Sequence, residues 1–166
     1  MRELLSSLPQ QGTVRWIGLR PARRAPVVCV DQVEASAGAG LKGDRFAGSA
    51  TSKRQVTLIQ HEHLAVLGQL LARDAIDPAL LRRNIAVSGI NLQALHRARF
   101  RIGGAVLLGT GACHPCSRIE EALGAGGYNA VRGHGGITAQ VLESGPIRIG
   151  DTVQLISVEP DARPEE

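Results

Sequence analysis

Residues 105–123 read AVLLGTGACHPCSRIEEAL, a stretch that joins an aliphatic run to a glycine-rich loop, two cysteines and a second apolar segment. The run Ala105–Gly109 is typical of a buried β-strand, because it is short, apolar and ended by glycine. Ser117–Leu123 predicts a short helix after the loop. The stretch therefore indicates a strand, an exposed loop and a helix in succession, with both cysteines in the loop.

Similar short runs, bounded by glycine, proline or polar residues, recur along the rest of the chain. They predict strands at Thr13–Leu19, Pro26–Val33, Arg54–Ile59, Asn84–Val87, Ile137–Glu143 and Thr152–Val158. Leucines at helical spacing predict a helix over His61–Arg73, and a second short helix is expected from Asp77 to Leu81. Many short strands with 20 glycines and 8 prolines favour a barrel or strongly coiled sheet, so we expect a mainly β fold.

Length and charge predict one domain with a basic body. The chain has 166 residues, enough for one domain and too few for two ordinary ones. Its net charge is +4, but four acidic residues lie in the last eight positions. We expect a single domain over residues 1–158, with 18 basic and 11 acidic residues, and a flexible acidic tail over residues 159–166. Most of the bases are arginine, which favours bidentate contacts with phosphate.

Composition argues against several classes of protein. Hydrophobic residues make up 43% of the chain and charged residues 20%, as in ordinary globular proteins. Aromatic residues make up only 2%, too few to stack on single-stranded nucleic acid, so we expect no specific nucleic-acid partner. No apolar stretch approaches the roughly 20 residues needed to cross a bilayer, so we expect no membrane association. Three cysteines and no apolar leader predict a cytoplasmic protein with reduced thiols.

The most informative four residues are Cys113-His114-Pro115-Cys116. Directly after them, Ser117 and Glu120 have the spacing of a capping box, which predicts that Ser117 is the N-cap of the following helix. Cys116 then precedes the N-cap by one residue, where free amides and the helix dipole stabilise a thiolate. Cys116 is therefore the predicted reactive residue of the pair.

Three chemistries compete for the two cysteines. A zinc site would need a second pair of ligands, which the sequence does not supply at a suitable spacing. A dithiol oxidoreductase is consistent with a Cys-x-x-Cys motif that opens a helix, although that motif usually follows an early strand of a βαβ unit. A single thiolate that carries sulfur or binds a soft metal needs only Cys116 and an anion-binding environment. The residues alone leave these alternatives open.

Seven segments of the chain, in their order and spacing, together form a recognisable pattern. They are Gly40–Asp44, Lys53–Ile59, Leu81–Ile85, Phe100–Gly103, Cys113–Arg118, Gly135–Ala139 and Gly145–Asp151. With these segments the chain resembles a MOSC domain, the module named after the C-terminal part of molybdenum cofactor sulfurases, over nearly its whole length. The resemblance implies a closed β-barrel of the pyruvate-kinase barrel type with a few short helices around it.

The resemblance also implies which residues carry the function. The characteristic cysteine of the family maps onto Cys116, which would carry persulfide sulfur or ligate the molybdenum of a bound molybdopterin cofactor. Because that cofactor has a phosphate and a polar pterin, the implied anion-binding residues are Arg54, Arg83 and Arg118. Asn84 would contact the pterin or organise the backbone.

Several activities follow from these features. The chain could be a cofactor-binding protein or sulfur carrier, or a molybdenum-dependent reductase of N-hydroxylated bases and amines, or a Cys113–Cys116 thiol–disulfide oxidoreductase. In the cofactor sulfurases pyridoxal phosphate belongs to a separate domain, so no pyridoxal phosphate site is expected in this chain. Sulfur would then come from a cysteine-desulfurase-type partner, and electrons from a separate electron-transfer protein. Whether the protein is an enzyme stays open at this point.

Overall fold

Eleven β-strands and four α-helices are present in the computed structural model, which describes residues 1–160. The strands are β1 (Gly12–Leu19), β2 (Val28–Cys29), β3 (Gln32–Ser36), β4 (Gly40–Leu41), β5 (Val56–Gln60), β6 (Ile85–Ser88), β7 (Ala98–Ile102), β8 (Ala105–Ala112), β9 (Ile137–Glu143), β10 (Gly145–Arg148) and β11 (Thr152–Val158). The helices are α1 (Arg2–Ser6), α2 (His61–Leu70), α3 (Ser117–Leu123) and α4 (Gly127–Val131), with one 3₁₀ turn over Leu92–Leu95.

Seven of these strands close into a barrel. Their order is β11-β7-β8-β9-β5-β6-β1, and β1 pairs with β11, with Gly12 opposite Val153, to complete the circle. Neighbouring strands of the barrel are antiparallel except β5 and β6, which are parallel with Leu58 opposite Ile85. Strands β10, β3 and β4 form a separate small sheet. The closed, mixed seven-stranded barrel with few short helices confirms the predicted mainly β fold.

The barrel interior is filled by alternate side chains of each strand. In β7, for example, Ala98, Phe100 and Ile102 are fully buried, whereas Arg99 and Arg101 between them are exposed. Successive strand residues point to opposite faces, so one face of each strand supplies the barrel core. The other face meets solvent in β7, whereas all five residues of β5 are buried. Phe100 is among the largest fully buried side chains of this core.

A second apolar cluster lies outside the barrel and holds the helices in place. Its members come from β5, β6, α2, α3, α4 and the segment that leads into β6; they are Ile59, Leu64, Leu67, Ile76, Leu81, Ala86, Ile119, Leu123 and Val131. Leu81 and Ile119 belong to the same cluster, so the segment before β6 and the first turn of α3 pack in one region of the molecule. This packing brings residues 82–84 and Cys116 towards each other.

Several predicted elements differ from the structure. The predicted helix from Asp77 to Leu81 is wrong, because this segment forms overlapping four-residue turns in which amides donate to carbonyls three positions back. The segment ends at Arg82, which is in the left-handed region with φ 54°. The predicted strand Pro26–Val33 is divided between β2 and the start of β3. Helix α2 ends at Leu70, earlier than predicted, because Ala72 has φ 54°. Strands β4, β7 and β10 were not predicted.

The end of the described chain is tied to β7. The Glu159 amide donates a 2.7 Å hydrogen bond to the Arg97 carbonyl, and the Glu159 carboxylate lies 2.6 Å from Arg99 Nε. The last six residues of the predicted tail, 161–166, lie outside the described residues. Within residues 1–160, no helix has both the length and the apolar composition needed to span a membrane.

Candidate functional site

The two cysteines of the 113–116 loop differ in exposure. Cys113 directly follows β8 and is only 3% exposed, and its amide donates a 2.8 Å hydrogen bond to the Gly136 carbonyl. Cys116 is exposed and lies at the N-cap of α3 with an extended backbone. Both are free thiols. Cys116 is therefore accessible to a partner or ligand, whereas Cys113 is buried.

The predicted capping box at the start of α3 is wrong. The N-cap is Cys116 rather than Ser117, and no side chain caps this helix. Glu120 instead accepts hydrogen bonds from the amides of Gly126 and Tyr128, at 2.8 and 2.7 Å. These bonds, with that from Tyr128 the stronger, lower the pKa of Glu120 below its ordinary value. Its carboxylate thus caps the start of α4 rather than that of its own helix.

Arg83 is a buried cation behind the cysteine loop. It is 7% exposed, and it donates 2.9 Å hydrogen bonds from Nε to the Gly135 carbonyl and from Nη1 to the Leu81 carbonyl. Its Nη2 is also buried and has no hydrogen-bond partner among residues 1–160. A buried donor without an acceptor is costly, so this atom indicates a place for an anionic or carbonyl-bearing ligand.

The cysteines lie within electrostatic range of Arg83. Burial lowers the pKa of Arg83, and Cys113 and Cys116 act in the opposite direction. Gly135 shows how closely these groups pack: a Cβ placed on it would lie 2.1 Å from the Cys113 carbonyl oxygen and 3.3 Å from Arg83 Nη2. Only glycine fits between the cysteine backbone and the guanidinium.

Asn84 connects the ends of three strands through its side chain. Its Oδ1 accepts from the amide and the hydroxyl of Thr57, at 3.1 and 3.3 Å. Its Nδ2 donates to the Gly18 carbonyl and to Asp44 Oδ1, both at 3.1 Å. These four bonds use all the donors and acceptors that an amide side chain offers. The structure therefore supports the backbone-organising role for Asn84 over direct contact with a pterin.

Asp44 anchors the other end of this network. Its carboxylate is fully buried and forms a bidentate pair with Arg20, with distances of 3.1 Å to Nε and 2.8 Å to Nη2. It also accepts from the amides of Arg20 and Phe46. Burial alone would raise the pKa of Asp44, but the hydrogen bonds and charge of Arg20, with the bond from Asn84, lower it below its ordinary value. Asp44 is therefore an ionised, buried anchor.

Of the other two predicted anion-binding arginines, Arg54 lies in electrostatic range of Arg83 and Arg118 in that of Arg82. Arg54 is exposed in the loop before β5, and its charge acts to lower the pKa of Arg83. Arg118 is half-buried in the first turn of α3, two residues after Cys116, and its charge acts in the same sense on Arg82. The structure thus brings the predicted residues into one positively charged region, with Asn84 beneath it rather than on its surface.

Sequence reasoning missed the residues that hold this region together. Arg20 and Asp44 form its buried ion pair, and Thr57 fixes Asn84. Asp44 carried a usable signal, because it follows a glycine turn in one of the segments that form the family pattern. Arg20 carried none, because it is one of many arginines and its partner is 24 positions away.

The side chains of residues 1–160 contain no group of three or more histidine, cysteine or carboxylate residues positioned to hold a metal ion. Among the described residues, Cys116 could therefore offer a metal only one protein ligand. A metal bound there would need its other ligands from a cofactor. An exposed, soft sulfur ligand in electrostatic range of the buried Arg83 guanidinium suits a negatively charged metal cofactor of that kind.

The fold and site define a small β-barrel protein with an exposed cysteine, Cys116, in electrostatic range of the buried Arg83. The family model for the MOSC domain matches residues 42–154. The chain belongs to the MOSC domain family, which confirms the resemblance drawn from the sequence. No curated protein sequence matches the chain significantly.

Several solved structures share the fold of this chain. The YuaD protein from Bacillus subtilis superposes with a TM-score of 0.77 at 21% identity, covering 92% of this chain and 100% of its own. YiiM from Escherichia coli has a TM-score of 0.69 at 17% identity, covering 90% of this chain and 72% of its own. YiiM from Geobacillus stearothermophilus has a TM-score of 0.71 at 14% identity, covering 88% and 75%. At these identities the likeness concerns the fold.

Proposed function

We propose that this protein binds a molybdenum–pterin cofactor at the 113–116 loop, with the Cys116 thiolate as metal ligand or sulfur carrier. The observation that carries the proposal is the buried Arg83 Nη2 without a partner among residues 1–160, in electrostatic range of an exposed cysteine. An anionic ligand would satisfy that donor. The family assignment supports molybdenum cofactor as the class of ligand.

Different residues of the site would contact different parts of the ligand. Arg83 would donate from Nη2 to an oxygen of the ligand, and Arg54 and Arg118 would neutralise its phosphate at the entrance. Asn84 holds the backbone of this segment in place through Thr57 and Asp44. The bound molybdenum would supply a redox-active, thiophilic centre. Cys116 is exposed at the N-cap of α3, and its sulfur is the protein atom that would contact the metal.

The first test is the molybdenum and pterin content of protein isolated from a cofactor-producing host. We expect wild type to carry both, Cys116→Ser to lose both or the metal, and Cys113→Ser to keep most of its content because that thiol is buried. Cys29→Ser is a matched control, since Cys29 is also free and exposed but lies on β2. Wild-type protein without molybdenum or pterin would contradict the cofactor proposal.

The exposure of Cys116 also supports sulfur transfer with a partner of the cysteine-desulfurase type. In this step the Cys116 thiolate attacks the outer sulfur of the donor's persulfide, a new S–S bond forms on Cys116, and the donor's thiolate leaves. A reducing compartment such as the cytoplasm would keep Cys116 available for this reaction. Mass spectrometry after incubation with a desulfurase and cysteine should show one added sulfur on wild type and Cys113→Ser, and none on Cys116→Ser.

A reductase activity at the same site is the enzymatic alternative. Cofactor-loaded protein with a chemical reductant should then consume a hydroxylamine or an N-hydroxylated base, with an electron-transfer protein as the partner in the cell. Turnover that depends on Cys116 would assign the enzyme, and loading without turnover would assign the carrier. Activity that requires Cys113 as well, with no molybdenum present, would assign the dithiol oxidoreductase instead.

A further inference from the structure

Two of the five histidines of the chain lie side by side although they are distant in sequence. His63 lies in the first turn of α2, and His134 lies in the segment 132–136 that joins α4 to β9. Their ring centres are 5.0 Å apart, and the ring planes meet at 85°. We call these two residues the histidine pair. The proposed cofactor site uses neither of them.

The backbones that carry the histidine pair are anchored in one apolar cluster. Leu64 and Leu67 of α2 and Val131 of α4 are buried members of the cluster outside the barrel. The His134 amide donates a 2.8 Å hydrogen bond to the Val131 carbonyl, which ties His134 to the end of α4. The two rings are therefore brought together by packed elements on both sides.

One ring nitrogen of the histidine pair has no partner. Nδ1 of His134 is buried and forms no hydrogen bond with any group of residues 1–160. A buried polar atom without a partner is costly, because it has lost its hydrogen bond to water. The neutral imidazole nitrogen is also the commonest metal ligand in proteins. The unpartnered Nδ1 therefore indicates a place for a bound ion beside the second ring.

The separation of the two rings matches that of imidazoles that share a metal ion. A zinc–nitrogen bond is about 2.0–2.1 Å long and the ring centre lies about 1.1 Å beyond the nitrogen, so two imidazoles on one tetrahedral zinc have ring centres about 5.2 Å apart. The observed separation is 5.0 Å. A metal ion would therefore require little movement of either ring.

We propose that His63 and His134 together bind a divalent transition-metal ion, with His134 Nδ1 and one ring nitrogen of His63 as its protein ligands. Among residues 1–160 no third histidine, cysteine or carboxylate is placed to join them, so water would fill the remaining positions. His63 also lines a surface cavity with Gln60, Glu62 and Asn91, which leaves room for that water. Zn²⁺ and Cu²⁺ suit imidazole ligands, whereas Mg²⁺ and Ca²⁺ prefer oxygen.

The Glu62 carboxylate supplies negative charge next to the histidine pair. Its charge acts on the His63 ring. Its Oε1 accepts from Gln60 Nε2 at 3.0 Å and its Oε2 from the Gly89 amide at 3.1 Å, so both oxygens already have partners. Glu62 would therefore favour a cation at the pair without being one of its ligands.

A metal ion on the histidine pair would connect α2 to the backbone behind the cysteine loop. The Gly135 carbonyl accepts from Arg83 Nε, and the Gly136 carbonyl accepts from the Cys113 amide. Both glycines lie within two residues of His134. The ion would thus be a structural cross-link that keeps this segment in position. The proposal does not depend on the molybdenum function, because it uses other side chains and another metal.

Calorimetric titration of the untagged, metal-free protein with Zn²⁺ tests the histidine pair directly. The exposed thiols of Cys29 and Cys116 are alkylated beforehand, so that they cannot take up zinc. We expect one site, and binding weaker by about tenfold or more in His63→Gln and in His134→Gln, because even the partners of metal ligands contribute about tenfold to hundredfold. Zn²⁺ should also raise the melting temperature of wild type and slow hydrogen exchange of amides 134–136.

His61→Gln is the matched control, because His61 lies two residues before His63 on α2 and points to a different side of the helix. His96→Gln is a second control, since His96 is exposed and lies outside α2. Both variants should bind Zn²⁺ as wild type does. Wild-type protein without bound Zn²⁺, or an affinity that falls as much in either control as in His63→Gln, would overturn the proposal.

Nuclear magnetic resonance of labelled wild-type protein gives a test that does not depend on the folding of the variants. Zn²⁺ should shift the ring signals of His63 and His134 and leave those of His61 and His96 in place. Shifts at the other histidines without a change in the pair would overturn the proposal. Because both experiments use cofactor-free protein, they can fail while the molybdenum content still depends on Cys116, and they can succeed when no molybdenum is bound.

Discussion

Replacement of Asp44 by asparagine should strongly destabilise the barrel, because it removes the charge of a buried ion pair while keeping its shape. The Asp44 side chain is 0% exposed and that of Arg20 20% exposed. The carboxylate accepts five hydrogen bonds, three from Arg20 and one each from Phe46 and Asn84. An amide in its place accepts at one oxygen only, and its NH₂ group would face the Arg20 guanidinium.

The expected loss is about 3 kcal/mol of unfolding free energy, the lower end for a broken buried pair because Arg20 keeps some contact with water. For a chain of this size that corresponds to a decrease in melting temperature of roughly 6–12 °C. Urea denaturation followed by circular dichroism measures the free energy. Asp77→Asn is the control, since its exposed carboxylate accepts one local hydrogen bond from Ala79.

The pH dependence gives an independent test of the same pair. Because folding lowers the pKa of Asp44 below its ordinary value of 3.8, the ionised carboxylate contributes its full stabilisation above that pH. The contribution is lost as the pH falls through the lower pKa of the folded state. The difference between wild type and Asp44→Asn should thus be constant from pH 7 to about pH 5 and shrink below pH 4. A difference under about 1 kcal/mol at pH 7, as for a surface pair, would refute the reasoning.

Three further predictions concern the packing around the site. Leu67→Ala should reduce the unfolding free energy by about 2–5 kcal/mol in urea denaturation, because Leu67 is fully buried in the cluster that holds the helices. Gly135→Ala should reduce the unfolding free energy by about 1–3 kcal/mol in the same measurement and should also reduce ligand binding, because its Cβ would meet the Cys113 carbonyl. Gly111→Ala is the control and should be tolerated, since the nearest atom to its Cβ would lie 3.9 Å away. Glu120→Gln should destabilise α4 at pH 7, and hydrogen exchange of the amides at its start should be faster than in wild type; unchanged exchange would contradict the capping role.

The sequence predicts the strands of this fold where a mostly apolar and β-branched run without basic residues is bounded by turn residues. Residues Ile137–Glu143 and Thr152–Val158 are strands with the predicted bounds. Strand β7 was not predicted although its burial alternates strictly, because two of its five residues are exposed arginines. Strands β4 and β10 are short and form outside the barrel by pairing with β3, so their existence depends on contacts distant in sequence.

Several residues of the candidate site were predictable from the sequence, but their arrangement in space was not. Cys116 was identified from its place before a helix, and the structure places it at the N-cap itself. The capping box failed because Glu120 has two alternatives for its carboxylate, and the choice depends on where α4 begins. Asn84 was assigned with two roles open, and only the buried partners Thr57, Gly18 and Asp44 decide between them.

The pair Arg82-Arg83 shows most clearly why the rest needed the structure. The sequence presents two equivalent arginines, yet one is buried behind the cysteine loop and the other crosses the loop after β1. Their separation depends on a left-handed residue, which local sequence disfavours and which tertiary contacts must enforce. Asn84, next in the chain, is fixed by Asp44, so the position of both arginines depends on the same buried pair that stabilises the barrel. Loss of Asp44 should therefore weaken anion binding along with stability.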